Sequence, residues 1–267
     1  MKPFRLLSIP VAAILGLTLA FSSRAAESPS PLTANDLASR LGALRPVGGS
    51  YVRLRMEING TIKETLQVQI KERRTKESIE VVYQVLYPKE RKGESVLLRK
   101  IGSGPASGTI FVPPNTPRSI NDLKEPLLGS DLSYEDVVDN FFAWDQQAIV
   151  GTEEVDHVKC TILESKPGQN QRSIYGRVRS WIDVRRLVPL RVEKYAGSGE
   201  LLRRIDTTRV VADAGHQIPA NLTVTGARPD SSTLLDGSRI WHNMTYTDHD
   251  FSIEGLKEIA TPRRSPD

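Results

Sequence analysis

The chain has a single cysteine, Cys160, and only four histidines among its 267 residues. A lone cysteine cannot close a disulfide within the chain. His157, His216, His242 and His249 show no HExxH motif and no helical pair at metal-binding spacing, so no metal site is assigned. His157 and Cys160 form an H-x-x-C pair, but on a strand two such side chains point to opposite faces. Walker and dinucleotide-binding glycine patterns are absent, which leaves no cofactor to assign. No Gly-x-Ser-x-Gly elbow supplies a nucleophile for Asp248-His249-Asp250, and no catalytic residue is assigned. The formal net charge is +4. Its basic residues are dispersed, without the sustained stripe or aromatic platform that nucleic-acid binding requires.

No apolar run reaches the ~20 residues of a spanning helix. The longest, Leu6 to Phe21, is broken by Pro10 and Gly16 and follows Lys2 and Arg5, with small residues at Ser23 and Ala25. This is the pattern of a cleavable signal peptide over residues 1–25. Export would remove Lys2, Arg5 and Arg24 from 36 basic residues, leaving 33 against 32 acidic ones. No cysteine follows the leader to carry a lipid. Residues 26–33 read as a Ser/Pro linker, 34–258 as one domain and 259–267 as a flexible tail.

What is present is alternation. After a short helix at Ala34 to Leu44, with Leu37, Leu41 and Leu44 as its stripe, strands follow one another. Val52, Leu54, Met56 and Ile58 share one face of the first, and Asn59-Gly60 marks a two-residue hairpin. Leu66, Val68 and Ile70 share a face of the second, and Ile79, Val81, Tyr83 and Val85 of the third. Two more strands end at Pro113-Pro114, completing a meander with one apolar face. Seven further candidates follow Trp144, and Cys160 falls in phase with Val158 and Ile162 as a buried small hydrophobe.

Between the two runs the period changes. Residues 113–130 are irregular, and long irregular segments in compact domains are commonly functional. They lead into a helix over Gly129 to Trp144, capped by Ser133 or Asp131, with Tyr134, Val137, Val138 and Phe141 on one stripe. Asp131, Glu135, Asp136 and Asp139 lack EF-hand spacing and read as a solvated, capped helix start. Trp144 and Trp181 suit either a core or a ligand contact.

The run Gly129-Ser130-Asp131-Leu132-Ser133-Tyr134-Glu135-Asp136 resembles the Gly-Ser-Asp-x-Ser-Tyr-Glu-Asp signature of the LolA-like outer-membrane lipoprotein-sorting proteins. Trp181-Ile182-Asp183, Pro189 within Leu187 to Glu193, and Gly199-Glu200-Leu201 follow in the family's order, so the resemblance spans roughly residues 48 to 250. It implies a mainly β fold: a strongly curved antiparallel sheet of about 11 strands, an incomplete or half β-barrel, with a few short helices as a lid. It also implies a non-enzymatic periplasmic carrier that holds lipoprotein acyl chains or lipid in a hydrophobic cavity. Its partners would be that cargo, an envelope membrane protein as donor or acceptor, and a transient membrane contact. Val52, Leu54, Leu66 and Val68 are expected to line the sheet side of the cavity, and Tyr134, Phe141, Phe142 and Trp144 its roof. The alternatives are a non-catalytic adaptor of an envelope transporter complex, favoured by a filled core, and a hydrolase, which would need Ser, His and Asp to converge in space.

Overall fold

The computed structural model describes residues 32–45, 47–226, 230–261 and 263–264. The expected signal peptide and most of the linker lie outside them. Helix α1 (Ala34–Ala43) begins at Thr33, whose hydroxyl accepts the Asp36 amide at 3.1 Å in a capping box. Its stripe of Leu37, Ala38 and Leu41 is buried against Leu163 and Ile182 of the sheet. No helix among the described residues is long and apolar enough to cross a membrane.

The first run of strands is β1 (Gly48–Asn59), β2 (Glu64–Arg74), β3 (Ser78–Tyr87), β4 (Ser95–Ile101), β5 (Ser107–Phe111) and β6 (Arg118–Ser119). The second is β7 (Gln146–Val155), β8 (Val158–Lys166), β9 (Arg177–Asp183), β10 (Val188–Tyr195), β11 (Leu201–Asp213), β12 (His216–Thr225) and β13 (Ser232–His242). Every neighbouring pair is antiparallel, in the order β6-β5-β4-β3-β2-β1-β13-β12-β11-β10-β9-β8-β7. The result is one large curved sheet that does not close into a barrel. First and last strands of the two meanders meet at its centre, where Met56 pairs with Leu235. The free edges, β6 and β7, are therefore consecutive in sequence. The segment between them, residues 120–145, has to cross the open mouth.

Two faces follow from the two-residue period. Facing inward, Met56, Ile58, Leu66, Val68, Ile79, Val81, Val85, Val96 and Leu98 bury a continuous apolar surface. Each fully buried aliphatic side chain contributes about 1.5–3 kcal/mol. On β2–β4 part of the outward face is covered too. Gln69, Lys71, Gln84 and Ser95 are buried there beneath the C-terminal segment 246–260. Gln69 Nε2 donates to Gln84 Oε1 at 2.7 Å, and Gln84 Nε2 donates to Ser95 Oγ at 2.9 Å and to the Leu256 carbonyl at 3.1 Å. Phe251 and Leu256 fill the space between this strap and Val82, Leu97 and Phe111.

Several local features differ from expectation. Among the described residues the sheet has thirteen strands, one of them, β6, inside the segment read as irregular. The β1–β2 turn is longer than two residues, since Ile58 pairs with Glu64. In the expected flexible tail, Arg263–Arg264 forms β15 against β14 (Met244–Thr245), because the strap returns the chain to that edge. The central helix is much shorter than Gly129 to Trp144: α2 covers Tyr134–Val138. Val137, Val138, Asp139 and Asn140 are poor helix formers in succession, and Asp139 is already extended (φ −81°, ψ 151°). A 3₁₀ turn at Phe141–Ala143 carries the chain on to β7.

Candidate functional site

The segment crossing the mouth is built from the motif outward. Leu127 and Leu128 form a tight turn whose Gly129 has φ +82°, a left-handed conformation that glycine adopts without strain. Ser130 Oγ accepts the Leu132 amide at 3.2 Å. Ser133 caps α2 in a capping box with Asp136. These turns present Leu127, Leu128, Leu132, Tyr134 and Val138 to the inner face of β1–β4, where all five are buried.

The acidic cluster is not solvated. Asp131, Glu135 and Asp139 are buried, and the Asp136 side chain has no exposed surface. Each carboxylate reaches a different part of the sheet or its loops. Asp131 Oδ2 accepts the Thr233 hydroxyl of β13 at 2.8 Å. Glu135 accepts the Ile174 amide at 3.1 Å and the Ser173 hydroxyl. Asp139 pairs with Lys100 of β4. Asp136 Oδ1 accepts Lys194 Nζ of β10 at 2.7 Å and the Tyr175 hydroxyl at 2.7 Å, and its Oδ2 accepts Arg203 Nε of β11 at 3.0 Å. On the other flank, the Arg91 guanidinium donates to the Leu128 carbonyl at 3.2 Å. The cations that neutralise the cluster come from distant strands, which is why it reads as a surface feature in sequence.

Electrostatics follow from this geometry. Burial alone would push the Asp136 carboxyl up. The Lys194 ammonium, with hydrogen bonds from Lys194, Ser133 and Tyr175, outweighs it and holds the carboxyl down at about 2. For Glu135 burial wins: its carboxyl is pushed up despite the Ser173 hydrogen bond, and the nearby Asp139 charge adds to the rise. Lys194 also lies over the rings of Phe141 and Tyr175, at 5.4 and 5.1 Å.

The expected lining residues fall into three groups. Leu54, Leu66, Val68 and Tyr134 share the main inner cluster, and half-buried Val52 lies beside them, opposite Ile70 and Ile240. Phe141 and Trp144 pack with Tyr175, Val178 and Val192. Phe142 joins the α1 cluster. Trp181 lies apart from the mouth-crossing segment, with Val155, Cys160, Val188 and Leu190, and its indole donates to Glu153 at 2.8 Å. Asp183 accepts the Arg185 amide in the β9–β10 turn at 3.0 Å. Pro189, which has no N–H to give the ladder, sits at a bulge of β10. Leu127, Leu128 and Leu132, with Lys100, Tyr175, Lys194, Arg203 and Thr233, complete the site beyond the expected residues. Lys194 carried a signal: it is in phase with Val188, Leu190 and Val192, the buried positions of β10.

Open space at the site is modest. A cleft of about 220 Å³ borders Leu54 and Val68. Two others flank α2, one of about 270 Å³ beside Trp144 and Asp139 and one of about 360 Å³ beside Glu135. Ser133 Oγ is engaged by Asp136 and lies 3.3 Å from the Tyr175 hydroxyl. His249 and His242 pair with Glu258 and Asp213. Among the described residues no cluster of three or more His, Cys, Asp or Glu could hold a metal.

The model of a protein family described as "uncharacterized protein" matches residues 79–258. Curated proteins give no match. Three solved structures share the fold. A DUF1329 family protein from Desulfovibrio piger is 22% identical, with 84% of this chain and 97% of that one covered and a TM-score of 0.77. A putative outer membrane lipoprotein-sorting protein domain from Vibrio parahaemolyticus is 19% identical, with 84% and 98% covered and a TM-score of 0.75. A LolA superfamily protein from Nitrosomonas europaea is 17% identical, with 83% and 98% covered and a TM-score of 0.67. Matched by that family model over more than half its length, the chain belongs to the family it describes, and it shares its fold with these three proteins, one of them from the LolA superfamily.

Proposed function

We propose that this protein is a non-enzymatic carrier in the bacterial envelope, exported by its N-terminal leader to the periplasm, where it binds acyl chains of lipoproteins or lipids. The observation that carries this reading is an apolar inner face closed by one segment of chain instead of a second sheet. The face is apolar across five strands, and residues 120–145 cover it with a few apolar side chains and are fastened by ionic and hydrogen-bonded contacts of Asp131, Asp136 and Asp139. Such a cover can swing away without tearing the sheet, exposing aliphatic surface to an acyl chain at about 0.8 kcal/mol per buried CH₂. In this reading the described state is the closed one, and Val52, Leu54, Leu66, Val68, Tyr134, Phe141, Phe142 and Trp144 are the cargo-facing residues. An envelope membrane protein would be donor or acceptor.

Native mass spectrometry with lipid extraction, on protein purified from an envelope fraction without detergent, tests it. Lipid or lipopeptide at near one-to-one stoichiometry is expected. A mass that stays free of ligand after incubation with lipids and lipoprotein would remove the carrier. One observation favours a second reading, a non-catalytic adaptor beside an envelope transporter: in the closed state Leu127, Leu132 and Tyr134 fill the space over the sheet.

A further inference from the structure

The larger of the two clefts beside α2, about 360 Å³, is bounded by the end of β4, the start of the mouth-crossing segment and the loop before β9. That volume lies at the low end of small-molecule sites. Its wall is divided by chemistry. Leu123 and Ile174 form an apolar side, while Lys100, Lys124 and Arg172 bring three cations to the same space. Lys100 is committed to Asp139. Lys124 and Arg172 are exposed and have no ion-pair partner among the described residues. The carboxylate that also lines the cleft, Glu135, accepts from Ser173 Oγ and the Ile174 amide.

We infer that this cleft is a headgroup site for an anionic amphiphile, with phosphate or carboxylate held by Lys124 and Arg172 and the first methylenes against Leu123 and Ile174. Arg172 supplies the planar fork suited to such oxygens, and Lys124 a point charge. A neutral or zwitterionic head would gain less from two unpaired cations. The inference rests on the carrier reading and adds a cargo class to it. Position gives the site a second consequence: Glu135 and Lys100, which fasten the cover, line the same cleft, so an anion seated there competes with Asp139 for Lys100.

The test is isothermal titration calorimetry on the full chain with three probes: lysophosphatidylglycerol, lysophosphatidylcholine of equal chain length, both as monomers, and inorganic phosphate. Wild type, Lys124→Glu/Arg172→Glu and the milder Lys124→Gln/Arg172→Gln are compared, with thermal melts to establish folding. The wild type is expected to prefer the anionic lysolipid at least tenfold, and both double variants to erase that preference while still binding the zwitterionic one. Equal affinity for the two lysolipids, or a preference that survives both variants, overturns the headgroup site and leaves the carrier standing. Phosphate bound as tightly as the anionic lysolipid, with no zwitterionic lysolipid bound, marks the source as a free anion and overturns the amphiphile. No binding of either lysolipid or of phosphate overturns site and carrier together.

Discussion

Asp136 Oδ1 and Lys194 Nζ stand 2.7 Å apart with side chains no more than 3% exposed, joining the segment over the mouth to the middle of the second meander. A buried pair of this kind contributes little net stability against an apolar replacement, but breaking it by removing one partner strands a charge. Its value is positional. With Arg203 and Tyr175 it fixes where α2 sits.

Asp136→Asn keeps the volume and removes the charge, leaving Lys194 and Arg203 without their counter-ion. The expected loss is about 3–5 kcal/mol in urea unfolding. Amide exchange over residues 127–144 should accelerate more than in β1–β4, and a uniform acceleration across the sheet would contradict a local fastening.

The same carboxyl gives a pH dependence. Its folded value, about 2, lies below the ordinary 3.8. Its contribution is therefore complete above pH 3.8 and is lost as pH falls through 2, about 2 kcal/mol in all. Glu135 has the opposite sign: its raised value means that the folded state gains relative stability on acidification and loses it as pH rises through that value. The stability gap between wild type and Asp136→Asn should narrow as pH drops below 3.8, and a constant gap down to pH 2 would refute the assignment.

Trp144, 5% exposed, packs with Tyr175, Val178 and Val192 where the covering segment enters β7. Trp144→Ala should cost about 3–5 kcal/mol. In the carrier reading it should also weaken uptake of a fluorescent fatty acid. If stability and uptake both stayed at wild-type levels, Trp144 would not belong to the roof.

On the outer face, Gln84→Ala would take its 2.7 Å acceptor from the Gln69 amide and leave the Leu256 carbonyl with Ser95 Oγ alone under the strap. The expected cost is about 1–3 kcal/mol. Limited proteolysis should find new cleavage between residues 246 and 260, with the sheet intact. Unchanged cleavage would show that Phe251 and Leu256 hold the strap without the amide ladder.

Much of this fold was legible. The alternation of Val52 to Ile58, Leu66 to Ile70 and Ile79 to Val85 marks the inner face, and Cys160 does pack with Val158 and Ile162. Ser133 does cap its helix. Three things were not legible, each because the determining partner is remote in sequence. Asp136 is an ordinary first-turn carboxylate until β10 and β11 bring Lys194 and Arg203 to it. Gln69, Lys71 and Gln84 alternate as solvent-facing residues do, and only the returning C-terminus buries them. The stripe through Val138 to Phe141 keeps helical spacing, yet Asp139 turns extended and pairs with Lys100, and Phe141 joins a different cluster from Tyr134.

The central seam between β1 and β13 bears on how the chain folds. Within each meander, pairing proceeds between neighbours in sequence, so each can zip from local hairpins at small loop-closure cost. The seam joins Ser50 to His242 and Asn59 to Ser232, across most of the chain. Contacts of such separation are slow to form. The topology thus favours a route in which two half-sheets assemble first and dock along β1 and β13. The segment over the mouth tethers their outer edges throughout, so the docking step takes place within one loop rather than between free ends.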